Sequence, residues 1–266
     1  MEWTSAEQGF HNSWDAFLKE QEAVIREIMR RLTGLGDYTP DDVNIFRFMC
    51  NDLKSAKVVI VGQDPYPEAG KATGRAFEVS GLTNWLEPFR QGSLKNIVRL
   101  LHETYRSDRS KDGETGRSFS KDVEPGTPIN KGEAPGYPIS FEEIRSEIRE
   151  GEFIIKSPPT LFQSWEDQGV ILLNRYLTCQ NGKPGSHRDL WKPLTEELIR
   201  YMHRINPALR WFLWGSDAKT IAPMLQDDSR TAVYMSRHPM LCAERYADDF
   251  LKGNCFRETK DEVFWL

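Results

Sequence analysis

Three polar side chains stand directly after apolar runs: Asp64 after Lys57–Val61, Asn174 after Gly169–Leu173 and His238 after Thr231–Met235. Asp64 lies in Gly62-Gln63-Asp64-Pro65-Tyr66-Pro67, where flanking prolines hold the chain rigidly. A carboxylate fixed in this way can orient a water or offset a developing positive charge, with Tyr66 as a flat wall beside it. Asp-Pro also simply starts turns. Asn174 offers one acceptor and two donors, enough to pair with an amide-like edge, and is equally a turn residue. His238, beside Arg237, can donate a ring N–H to an oxygen that gains negative charge. Phe77, in Gly74-Arg75-Ala76-Phe77-Glu78-Val79, can stack on a planar ligand, a contact worth about 1–3 kcal/mol per base in nucleic-acid systems; taken alone, the ring reads as core. Gly215-Ser216, after Arg210–Trp214, can present a hydroxyl and an N–H to a phosphate, or can simply make a tight turn.

These residues need a scaffold that gathers strand ends. Lys57–Val61, Gly169–Leu173, Arg210–Trp214 and Thr231–Met235 read as strands, and helical patterns over Leu94–Tyr105, Leu194–Ile205 and Ala218–Leu225 separate them. Strands alternating with helices imply right-handed crossovers and a parallel sheet, which binds ligands beyond the carboxyl ends of its strands. An Asp, an Asn and a His at three such ends are what a reactive crevice requires. Trp14–Leu32 and Asp41–Leu53 are expected to be helices before the first strand, and His203 within a later helix is expected to be structural. The expected architecture is a single α/β domain, 1–266, around a central parallel four-stranded sheet. Arg106–Tyr137 is rich in Gly, Ser, Pro, Lys and Asp, and Ser140 with Glu143 reads as a capping box for a short helix carrying Phe141, Ile144 and Ile148. The whole of about 106–150 is expected to be a surface insertion.

Bulk properties narrow the class. The 266 residues carry a formal net charge of −5, which counts against a strongly basic nucleic-acid binder without excluding local cationic clusters. The cysteines Cys50, Cys179, Cys242 and Cys255 form no C-x-x-C pair, so a zinc ribbon, an iron–sulfur cluster and a disulfide framework are not expected. Reduced thiols, no signal pattern and no membrane-length apolar run lead to the expectation of a soluble intracellular protein.

The ordered set of motifs resembles the family-1 uracil-DNA glycosylases. It comprises Val61-Gly62-Gln63-Asp64-Pro65-Tyr66, Gly74-Arg75-Ala76-Phe77, Ser93-Leu94-Lys95-Asn96-Ile97, Trp165 to Asn174, Leu177-Thr178, Ser186-His187, Trp214-Gly215-Ser216 and His238-Pro239. The resemblance spans Asp42 to about Phe256 apart from the insertion, and implies helices on both faces of the sheet. It further implies flipping of uracil out of DNA and hydrolysis of its N-glycosidic bond. Asp64 would position the water and stabilise the oxocarbenium-like sugar, and His238 would donate to uracil O2, helped by backbone N–H groups around Gln63 and Asp64. Phe77 would stack on the base, Asn174 would read its O4/N3 edge, and Tyr66 would collide with a thymine methyl. Ser93, Ser216, Leu241 and Arg245 would contact the DNA, with Leu241 (or Met240) as the wedge that fills the gap. No metal or cofactor is implied; the partner is uracil-containing DNA, single- or double-stranded, and the enzyme is expected to be a monomer, with a protein partner conceivable at the insertion. Pro67 replaces the family's usual His. Residues 87–92 replace its proline-rich segment, and His238-Pro239-Met240-Leu241-Cys242-Ala243 lacks its serines. These departures leave open a glycosylase-like DNA-binding or replication partner whose catalysis is secondary or lost.

Overall fold

The computed structural model describes residues 9–109, 137–225 and 228–266. In chain order the elements are α1 (Asp15–Leu32), the two-residue strand β1 (Tyr38–Thr39), the single turn α2 (Asp42–Ile45), β2 (Val58–Gly62), α3 (Gly92–Arg109), α4 (Phe141–Glu150) and α5 (Pro158–Asp167). There follow β3 (Val170–Asn174), the two-residue β4 (Cys179–Gln180), α6 (Arg188–Ile205), β5 (Arg210–Trp214), α7 (Ser216–Lys219), β6 (Ala232–Ser236) and α8 (Cys255–Glu258).

The four main strands form one parallel sheet in the order β3-β2-β5-β6, while β1 and β4 pair antiparallel beside it. Every residue of β2 and β3 is buried. Alternate side chains point to opposite faces of a strand. Val59, Val61, Ile171, Leu173, Trp211 and Leu213 therefore join a core with α1 and α6. Val58, Ile60, Val170, Leu172, Phe212 and Trp214 join a second core with α3, α4, α5 and α8. Burial on both faces is why β2 and β3 read as unbroken apolar runs. Register places Gly62 opposite Asn174, and Trp214 opposite Ser236, so the carboxyl ends of all four strands share one edge.

Two expectations need correction. Asp41–Leu53 is not one helix: α2 stops at Ile45, Phe46 turns the chain (φ −106, ψ 24), and a 3-10 turn covers Arg47–Cys50. That turn sends both Phe46 and Phe48 into the core. The stretch expected at the surface, 106–150, is not peripheral at its described ends. α3 continues through 106 to Arg109, and α4 buries Phe141 and Ile144 in the second core because its apolar residues share one face. Its start is the expected capping box: Glu143 N donates to Ser140 Oγ at 3.2 Å and Ser140 N to Glu143 Oε2 at 2.8 Å. The middle, 110–136, lies outside the described residues. Among the described residues no helix is long and apolar enough to cross a membrane, and no group of three or more His, Cys, Asp or Glu could hold a metal ion.

Candidate active site

Where β2 ends, its pairing with the exit of β3 continues: Arg175 N donates to Gly62 O and Tyr176 N to Gln63 O, both at 2.9 Å. Gly182 N donates to Pro67 O at 2.8 Å. The turn carrying Asp64 is thus pinned at both ends. Gln63 Nε2 donates to Asp64 Oδ2 at 2.6 Å. Asp64 Oδ1 is buried and has no partner among the described residues. Burial pushes this carboxyl up to about 6, and the charge of Asp217 adds to the rise; Gln63, the Gly185 N–H and Arg188 oppose it. Such a group is ionised at neutral pH, has lone pairs to spare, and accepts a proton readily.

Beside it, Asn174 is 4% exposed and its Oδ1 also lacks a partner. Glycine at position 62 leaves room for this approach, because a Cβ there would lie 2.7 Å from Asn174 Oδ1 and 3.0 Å from Ala76 Cβ. Phe77 approaches Trp214 at 5.3 Å between ring centroids and His238 at 6.1 Å. Tyr66 Oη donates to Phe77 O at 3.4 Å. Asn174, Phe77, Tyr66 and His238 are therefore brought together by β3, the loop after β2 and the exit of β6.

His238 is set by β5 as much as by β6. Gly215 (φ +97) passes so close that a Cβ on it would sit 3.0 Å from His238 Cβ and 3.1 Å from Cδ2. The imidazole Nδ1 accepts from Met240 N at 3.1 Å, which assigns the proton of the neutral ring to Nε2. Burial lowers the pKa of His238 and Asp217 opposes that change. A neutral imidazole with a donor Nε2–H results.

The following loop is braced from several sides. Asn96 Nδ2 of α3 donates to Pro239 O at 2.6 Å, Ala243 N to Asp249 Oδ2 at 2.5 Å, and Arg237 N to Asp248 O at 2.8 Å. Met240 and Leu241 stand 53% and 58% exposed at its tip. The Met240 sulfur leans over Gly92, next to the buried Ser93. Ser216 is exposed as the first residue of α7. Arg245 turns to its neighbour: Nη2 donates to Tyr246 Oη at 3.1 Å and the guanidinium lies 4.9 Å from that ring.

Asp217 and Arg188 were not singled out from the sequence. Arg188 Nη2 pairs with Asp217 Oδ1 at 2.9 Å, and Tyr176 Oη donates to the same oxygen at 3.3 Å. Asp217 follows Gly215-Ser216 directly, so listing every titratable residue just past a strand end would have found it. Its charge acts on both Asp64 and His238.

Known proteins resemble this chain in sequence and in fold. A family model described as "Uracil DNA glycosylase superfamily" matches residues 50–259. A uracil-DNA glycosylase of Mycolicibacterium gilvum is 30% identical over 233 residues, 86% of this chain and 80% of its own. One from Mycolicibacterium vanbaalenii is 34% identical over 203 residues, 76% of this chain and 66% of its own. Among solved structures, the wild-type UNG of Nitratifractor salsuginis superposes with a TM-score of 0.64 at 17% identity, covering 96% of this chain and 93% of that one; this supports the fold.

Proposed function

Because the chain belongs to the uracil DNA glycosylase superfamily, we infer that it is a uracil-DNA glycosylase that releases uracil from DNA and leaves an abasic site. The observation that carries the reading is the pairing of a buried carboxylate holding one open oxygen, Asp64 Oδ1, with a neutral imidazole whose acceptor nitrogen is already occupied.

The target nucleotide leaves the base stack, at a cost of a few kcal/mol, and its uracil lies against Phe77. Asn174 Nδ2 donates to O4 and its Oδ1 accepts from N3–H. Cytosine reverses that donor and acceptor pattern and would leave buried groups unpaired. Tyr66 occupies the space a thymine methyl would need. The bond between C1′ and N1 breaks with its electron pair passing to the base. His238 Nε2–H donates to O2 as negative charge builds there, and backbone N–H groups around Gln63 and Asp64 add to this. Asp64 offsets the positive sugar, orients a water toward C1′ and can take its proton. Ser93, Ser216, Leu241 and Arg245 serve the DNA backbone and the gap left by the base. The enzyme would work as a single-domain monomer inside the cell, where DNA is replicated, and no step requires a cofactor.

The test is an oligonucleotide carrying one uracil, incubated with the protein, treated with alkali and resolved on a gel. Cleavage at the uracil position is expected with the wild type and not with His238→Leu; an intact strand with the wild type overturns the assignment.

A further inference from the structure

Phe77 is the one non-glycine residue at positive φ (+68) among the described residues. That region is strained for a bulky side chain and persists only where the surroundings over-determine it. Here the residues two before and one after it are charged, and both are buried. Arg75 Nη1 donates to both oxygens of Glu78, at 2.9 and 3.1 Å, bridging across the strained residue. Its Nη2 donates to Gln163 Oε1 at 2.5 Å and to Glu166, both on α5. Glu166 in turn meets Arg47 Nε at 3.6 Å. The side chains of Arg75, Glu78 and Glu166 are 6%, 8% and 8% exposed. Two positive and two negative charges balance, three of them buried and the fourth, Arg47, 34% exposed at the edge of the cluster.

The loop is also fixed at its base. Ala72 bridges Val79, and Ser80 N donates to Lys71 O at 2.8 Å while Ala76 N donates to Leu172 O at 3.3 Å. Gly74 docks so closely on α2 that a Cβ would lie 2.2 Å from Asn44 O. The Ala72–Val79 and Lys71–Ser80 contacts close the loop around Phe77 from farther out, and the Arg75–Glu78 bridge closes it most tightly.

A buried ion cluster of this kind is seldom more stabilising than apolar residues of the same volume, whereas its planar forks define angles that apolar residues do not. We propose that the Arg75–Glu78–Glu166–Arg47 cluster is a positioning device, which holds the strained Phe77 backbone and so sets the ring against which the base stacks. The cluster acts through Phe77 and touches no substrate. The proposal rests on the stacking role given to Phe77 above.

Arg75→Lys keeps the charge but cannot serve Glu78 and α5 together. It is expected to fold, to release uracil at least tenfold more slowly, and to be inhibited at least tenfold more weakly by free uracil, with affinity for uracil-free DNA unchanged. The triple variant Arg75→Met, Glu78→Met, Glu166→Gln removes the three buried charges and leaves Arg47, whose side chain is 34% exposed, to solvent; it is expected to melt within a few degrees of wild type while losing at least as much activity. In a Phe77→Ala background Arg75→Lys should have no further effect, because contacting groups are coupled and the device acts through one ring. Amide hydrogen exchange over residues 74–79 needs no activity at all and should quicken at least tenfold in Arg75→Lys. Unchanged exchange, or wild-type uracil release and inhibition in Arg75→Lys, overturns the proposal. Loss of uracil release in the wild type would instead overturn the glycosylase reading, and the exchange measurement would still decide this one.

Discussion

Asp64 and Asn174 each keep a buried oxygen with no partner among the described residues. A buried unsatisfied acceptor costs about 1–3 kcal/mol, and the cost is recovered when a ligand donates to it. For Asp64 the penalty is also visible in its titration, since burial raises its carboxyl to about 6. A raised carboxyl holds its proton in the folded state over a window where the unfolded chain has already lost it. Its contribution to stability is therefore greatest near pH 4 and declines as pH rises through about 6. Asp64→Asn removes the strained charge. Calorimetry at pH 8 should find the variant more stable by roughly 2 kcal/mol, at about 1.4 kcal/mol per pKa unit with part of the effect screened by solvent, and the gain should vanish near pH 4. Uracil release should fall at least about 100-fold in the same variant, consistent with loss of the group that orients water. A variant that is both inactive and destabilised at pH 8 would contradict this account. The same carboxylate must be ionised to act, so wild-type kcat/KM should fall about tenfold per pH unit below about 6. Asp217→Asn should move that limb to lower pH, since Asp217 pushes Asp64 upward; a limb that stays in place would assign it to another group.

At the scale of elements, the crevice depends on how closely β5 and β6 let their exits approach. Gly215 has φ +97, and a methyl there would press on His238 Cβ from 3.0 Å and on its ring Cδ2 from 3.1 Å. Gly215→Ala combines backbone strain of about 1–2 kcal/mol with displacement of the imidazole. Steady-state kinetics should show kcat reduced roughly 10- to 100-fold with KM little changed, as the role proposed for His238, acting on developing charge rather than in binding, requires. The melting temperature should drop by about 3–6 °C. A raised KM with normal kcat would place His238 in DNA binding instead. β2, β3 and most of β5 were legible in the sequence because burial on two faces demands unbroken apolar runs, while the half-exposed edge strand β6 showed only a shorter one. The residues just past them could then be read as one edge. Other features were not legible, for identifiable reasons. The helical pattern marks Leu194–Ile205, whereas α6 begins at Arg188, six residues earlier, carries Pro193 within it and buries Leu190 and Trp191 as well. β1 and β4 are two residues each, too short to show a period. The orphaned oxygens, the Phe77 backbone and the Arg188–Asp217 pair arise from contacts between distant segments, which spacing along the chain does not encode.

Across the whole molecule, a formal charge of −5 must be reconciled with a polyanionic substrate. Binding to DNA is dominated by phosphate neutralisation, and each neutralised phosphate steepens the salt dependence by about 0.9 in log–log slope. Three arginines close to the site residues in space or along the chain are already engaged. Arg188 is paired with Asp217 at 2.9 Å. Arg237 stacks on Tyr246 at 3.7 Å, and Arg245 lies on the same ring at 4.9 Å. The serines and backbone N–H groups that remain can hold a phosphate without releasing a counterion of their own. With about three phosphates neutralised, the slope is near −2.7, so raising salt from about 50 to 200 mM should reduce kcat/KM on duplex DNA by roughly 40-fold. A binder with six to ten cationic contacts would lose about 10³–10⁵ over the same range. Measuring kcat/KM at subsaturating substrate across that range decides between the two. A slope steeper than about −5 would mean that a cationic surface outside this crevice carries the DNA. A slope near −3 would mean that the enzyme relies on fitting the extruded base rather than on charge, which suits an acidic protein whose most closely built feature is the pocket formed by Asp64, Phe77, Asn174 and His238.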